Sequence, residues 1–191
     1  MGLFYNEKRK EEKPLIIESE GEMFDFDAVN YENIISKNTV ITGDVVTRDN
    51  IYVAGGLKGD LHTVKNVKLT GIQKGNIKGK NVEFMNGKIT GNVSSLGDTK
   101  LDNNSIVIGD LEIGSMESAG KIKGNIEAVD SVSLTESAVI LGDIRTRNIN
   151  IDAGAMIKGS VEVIRDAEIS DNMFKIEETF MNVDDLINSK K

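Results

Sequence analysis

The chain has 191 residues with 19 glycines, one proline, no cysteine and no tryptophan, and its formal net charge is −8. A disulfide-stapled scaffold is excluded, and no apolar run reaches the roughly 18 residues that span a bilayer. The charge is uneven: residues 14–32 hold six acids and no base, whereas residues 33–170 hold 16 bases and 17 acids, so the middle offers no net basic field to draw in nucleic acid.

Residues 1–30 read as a flexible tail without a strong period. They open with Leu3, Phe4 and Tyr5, followed by Lys8, Arg9 and Lys10. Three apolar side chains beside three bases are suited to contact with an anionic membrane surface. The start lacks the 7–15-residue apolar stretch of a secretory leader. A cytoplasmic protein is therefore expected, peripheral at the inner face of the cell membrane where the amino-terminal contact forms.

From about residue 31 to residue 170 one phrase recurs: Gly, then Asp, Asn or Ser, then an aliphatic residue. It occurs eight times, from Gly43-Asp44-Val45 through Gly91-Asn92-Val93 to Gly159-Ser160-Val161, with glycines 15 to 18 residues apart. The first aliphatic residue of a second short strand comes seven or eight residues after each glycine, as Val67 does in Asn66-Val67-Lys68-Leu69 and Ile149 in Asn148-Ile149-Asn150-Ile151. Thr99/Leu101 and Met116/Ser118 fit this column poorly. A third strand places an aliphatic residue two before the next glycine, in Ile41, Leu57, Ile89, Val107, Ile122, Ile140 and Ile157. Gln73 breaks that column, with Ile72 beside it.

Period-two alternation marks strands with one buried face. Three such strands in about 17 residues leave one or two residues per corner, too few for helices. Strands this short bury a face only by stacking coil upon coil. The expected fold is all-β: a single-stranded β-helix of about eight rungs, roughly 38 Å long at the strand spacing of about 4.8 Å. Glycine suits the positive-φ corner, and the Asx residue after it can hydrogen-bond the local backbone. Asp44, Asp60, Asp110 and Asp143 are then expected as a ladder along one edge.

The ends of such a rod present unpaired backbone groups, a template for another strand. No capping helix is legible, so end-to-end stacking is expected through Ile35, Val40 and Ile41 of the first coil and Val161, Val163, Ile164 and Ile169 of the last. Residues 171–191 form a carboxy-terminal tail, with Phe174, Phe180 and Leu186 among acids, that could cap the last coil.

Enzymatic chemistry has no evident residues. His62 is the only histidine, so a three-histidine metal site is excluded; an outward, solvated ring is the plainer reading. No cysteine nucleophile, metal site or cofactor site is expected. Three readings remain: a self-assembling structural filament; a non-polymerising solenoid adaptor; and a hexapeptide-like acyltransferase, which would need His62 in a cleft between subunits.

The Gly-Asx-aliphatic phrase at this spacing, in one rod between short tails, resembles the bactofilins, bacterial cytoskeletal proteins. The resemblance covers roughly residues 34–166. It implies a right-handed β-helix of triangular section, nucleotide-independent polymerisation, and membrane association through an amino-terminal segment that Leu3 to Tyr5 match loosely. It also implies a scaffold for cell shape or for envelope-modifying enzymes as partners.

Overall fold

The computed structural model describes residues 32–164. The tails, and the expected domain boundaries at 31 and 170, lie outside those residues. Among the described residues there are twenty strands and no helix, and the paired strands run parallel from one coil to the next. This is the β-solenoid of about eight turns that the repeat predicts.

Each coil has three faces. The first face carries the strand after the Gly-Asx phrase, as in Val45–Thr47, Leu61–Thr63, Ile77–Gly79 and Val161–Val163. The second carries Asn33–Ile35, Ile51–Val53, Val67–Leu69 and Val82–Phe84. In the later coils the long strands Val93–Leu101, Leu111–Ser118, Ile126–Leu134 and Ile144–Ile151 run across both. The third face is a separate eight-stranded sheet ordered coil by coil: Val40–Thr42, Gly56–Lys58, Ile72–Lys74, Lys88–Thr90, Ile106–Ile108, Lys121–Lys123, Val139–Leu141 and Met156–Lys158.

Alternation sends one column of each face inward. Leu61, Ile77, Val93, Leu111, Ile126 and Ile144 stack on the first face, all at most 1% exposed, and meet Ile89, Val107, Ile122 and Ile140 from the third. Burying an aliphatic side chain of this size contributes about 1.5–3 kcal/mol, so the axial stack of columns is the main stabilising element.

Three sequence expectations need correction. Thr99, Leu101, Met116 and Ser118 do not break the repeat: they pair in register across the second face and are all at most 4% exposed. Some small polar residues in the core find backbone partners for their hydroxyls, as Thr63 Oγ1 donates to Asp49 O at 2.8 Å, whereas Thr99 Oγ1 is buried without one. Gln73 likewise occupies the inward position of its column, fully buried, its Nε2 donating to Gly59 O at 2.7 Å, while Ile72 points out and is 55% exposed.

Nor are all corners limited to one or two residues. Between the second and third faces the chain takes four, as at 102–105, 135–138 and 152–155, and these insertions account for much of the drift in glycine spacing. Register shifts between the first and second faces absorb the remainder. Only the Gly-Asx corner keeps a constant length.

Candidate assembly surfaces

The constant corner is bonded coil to coil. At Gly91 φ is +150°, and a Cβ there would lie 2.1 Å from the Gly75 carbonyl oxygen, so both conformation and close approach demand glycine. The Asx side chain beside each glycine does not fold back on its own turn, as the sequence suggests. Its oxygen accepts from the backbone N–H of the next coil: Asp60 N to Asp44 Oδ1 at 2.8 Å, Asn76 N to Asp60 at 2.7 Å, and Asn92 N to Asn76 at 2.9 Å. The ladder continues through Asn92, Asp110 and Asn125 to Asp143, whose Oδ1 accepts from Ser160 N at 2.8 Å. The Ser160 amide, then its hydroxyl, hold the Asp143 carboxyl below the usual aspartate range.

A second, shorter ladder joins Asn50, Asn66, Asn81 and Asp98 at the next corner. The recurring aspartates are thus occupied as structural acceptors. His62 sits on the first face between Val46 and Lys78, half-buried rather than fully solvated. Burial, and then Lys78 on the following coil, hold its imidazole below the ordinary histidine range.

The grooves of the described surface include three on the first and second faces. One follows the first face near Asp110, Asp143, Glu127 and Arg145, one runs beside Asn66, Asn81 and Glu83, and one lies over Thr99, Met116 and Ser133. None is lined by His62. Arg145 spans the first groove, its guanidinium 3.5 Å from both Glu127 and Glu162. Among the described residues no group of histidines and carboxylates is arranged to hold a metal ion.

The first and last described coils differ from those between them. Val161 and Val163 pair with Ile144 and Thr146, which are 1% and 0% exposed, yet they themselves are 41% and 58% exposed because no further described coil covers them. Ile151, paired with the fully buried Leu134, is 47% exposed, and Ile157 is only partly buried. At the opposite end Ile41 and Val45 are partly buried where their partners Leu57 and Leu61 are fully so.

Of the expected contact residues, Ile41, Val161 and Val163 lie in these columns of the first and last described coils. Ile35 and Ile164 are covered, at 6% and 8% exposure, and Val40 stands on the outer flank of the third face, 66% exposed. Ile169 and the membrane residues Leu3, Phe4, Tyr5, Lys8, Arg9 and Lys10 lie outside the described residues. Ile149, Ile151, Ile157 and Val45 were not anticipated at the ends, although membership of the inward columns in a first or last coil marks them.

No curated protein and no solved structure matched the chain. A family model did, described as polymer-forming cytoskeletal. With the repeat, the parallel solenoid and this match in agreement, residues 70–162 are a bactofilin domain.

Proposed function

We propose that this chain is a structural cytoskeletal scaffold that joins end to end into filaments without nucleotide. The observation that carries the reading is the exposure of the inward columns at the last described coil, where Val161, Val163 and Ile151 occupy buried-column positions yet stand 41%, 58% and 47% exposed. Apolar columns left open beside unpaired strand edges favour addition of another copy. The matching family's description as polymer-forming supports self-association. On this reading the tails at 1–30 and 171–191 tune assembly, the amino-terminal segment holds filaments at the cytoplasmic face of the membrane, and the polymer supports cell shape or recruits envelope-modifying proteins.

The test is negative-stain electron microscopy of the purified chain in nucleotide-free buffer, beside Val163→Asp. Filaments from the parent chain and discrete folded particles from the variant are expected, since a carboxylate in an apolar end contact is left without compensation. Undiminished filaments from the variant would place the contact elsewhere. Discrete particles from the parent chain would favour a non-polymerising adaptor.

A further inference from the structure

The near-neutral sum of residues 33–170 conceals a segregation of charge. On the third face the central residue of each strand points inward and the flanking two point out. Those sixteen outward positions hold six lysines, Lys58, Lys74, Lys88, Lys121, Lys123 and Lys158, and no aspartate or glutamate. All six are exposed, and none is in an ion pair among the described residues. The described ion pairs belong to the other two faces, where acids and bases face each other across coils, as Lys100 does Glu117 and Arg147 does Asp130.

Between the lysines stand exposed aliphatic side chains. Val40, Ile72, Ile108, Leu141 and Met156 are 42% to 66% exposed and all lie on this face, half of the ten large apolar residues most exposed on the described surface. Eight parallel strands form a strip about 34 Å long at ordinary strand spacing. A strip of long cationic side chains interspersed with aliphatic ones matches a lipid surface, where lysine heads meet anionic headgroups and apolar side chains enter the boundary below them.

We infer that the third face of the solenoid is itself a membrane-docking surface for anionic lipid, on which the rod lies with its axis in the membrane plane. It rests on the scaffold reading in one respect: a filament would line up the same strip in successive copies and multiply the binding, although a single rod already carries the complete strip.

The experiment is co-sedimentation of the full chain with vesicles of phosphatidylcholine alone or mixed equally with phosphatidylglycerol, with electron microscopy of the lipid-free samples. The parent chain is expected to sediment with the anionic vesicles only and to be released by salt. Each lysine near such a surface contributes about fivefold in affinity, so Lys74→Glu/Lys88→Glu/Lys123→Glu is expected to bind at least about 100-fold more weakly while still forming filaments. The milder Lys→Gln triple, which keeps exposed polar residues at those positions, is expected to lose binding in the same direction.

The amino-terminal variant Lys8→Glu/Lys10→Glu is expected to retain salt-sensitive binding through the strip. Parent-like binding by both rod triples, or absence of parent binding to anionic vesicles, overturns the inference. Filament loss in the parent chain with lipid binding intact would remove the scaffold reading and leave the docking face standing.

Discussion

The Gly-Asx corner yields a quantitative comparison between two alanine substitutions in the same phrase. Gly43→Ala and Gly91→Ala both force a side chain onto a positive-φ backbone, at +129° and +150°, a strain of about 1–3 kcal/mol. They differ in their surroundings. The Cβ of residue 43 meets nothing within 4 Å, because Gly43 opens the first Gly-Asx coil, whereas that of residue 91 would fall 2.1 Å from Gly75 O and 2.5 Å from Gly75 C.

Bringing that contact to even 3.0 Å parts the coils by about 1 Å. Three bonds cross this corner: Gly75 N to Thr90 O at 3.0 Å, Ile77 N to Asn92 O at 2.9 Å and Asn92 N to Asn76 Oδ1 at 2.9 Å. A stretch of that size takes them beyond hydrogen-bonding range, and each is worth about 1 kcal/mol net. Gly91→Ala is therefore expected to cost about 3 kcal/mol more than Gly43→Ala, a large share of a typical 5–15 kcal/mol domain stability.

Urea unfolding followed by circular dichroism, at equal protein concentration, reads the difference as a midpoint lower by about 1–3 M for Gly91→Ala. Hydrogen exchange at the Asn92 amide locates the opening. Equal midpoints for the two variants would refute the argument, since backbone strain alone would then account for both.

Acid is expected to loosen the last link of the long ladder. The Asp143 pKa is lowered, so its contribution to stability is complete above the ordinary aspartate value and is lost as pH falls through the lowered one. Protection of the Ser160 amide, measured by hydrogen exchange, should fall on acidification in the parent chain but stay flat in Asp143→Asn, which keeps an acceptor. Gln73→Leu should shift stability in urea unfolding by less than about 1–2 kcal/mol, because removal of a buried Oε1 without a partner offsets the loss of the donor to Gly59 O. Asn92→Ala is expected to cost about 0.5–1.5 kcal/mol by leaving the Asp110 amide without its acceptor, and Asn92→Asp to restore most of it.

The solenoid was legible because its strongest constraint is local. A glycine where the preceding coil's carbonyl lies within about 2 Å of any added Cβ, followed by an acceptor side chain, recurs as a phrase that needs no partner to be seen. The coils at Thr99/Leu101 and Met116/Ser118 were harder to read because hydropathy is a poor guide to a column that admits small hydroxyl residues: Ser118 Oγ accepts from Gly120 N at 3.3 Å, whereas Thr99 Oγ1 is buried without a partner. Ser95 Oγ donates to Lys80 O at 3.0 Å and Thr146 Oγ1 to Asn148 O at 3.2 Å, so the buried column admits residues that look external. Corner length was misjudged for a related reason. The corner between the second and third faces carries no unbroken Asx ladder, and extra residues there leave the inward columns undisturbed.

The third face was in the sequence as well, but summing charge along the chain hides it. Lys74 and Lys88 are fourteen residues apart in the chain and one coil apart in space, in adjacent strands whose register pairs Lys74 with Thr90 and Ile72 with Lys88. Once the inward aliphatic two before each glycine is fixed, the residues on either side of it must share one surface. Reading only those flanks gives lysine and aliphatic residues without an acid, whereas the strands after each glycine place Glu112, Glu127 and Glu162 outward. A repeat protein distributes its charge by column, and each column faces one direction along the whole rod. The relevant field is therefore that of a face, and a middle segment near neutrality in sum can still present one face whose only charges are basic.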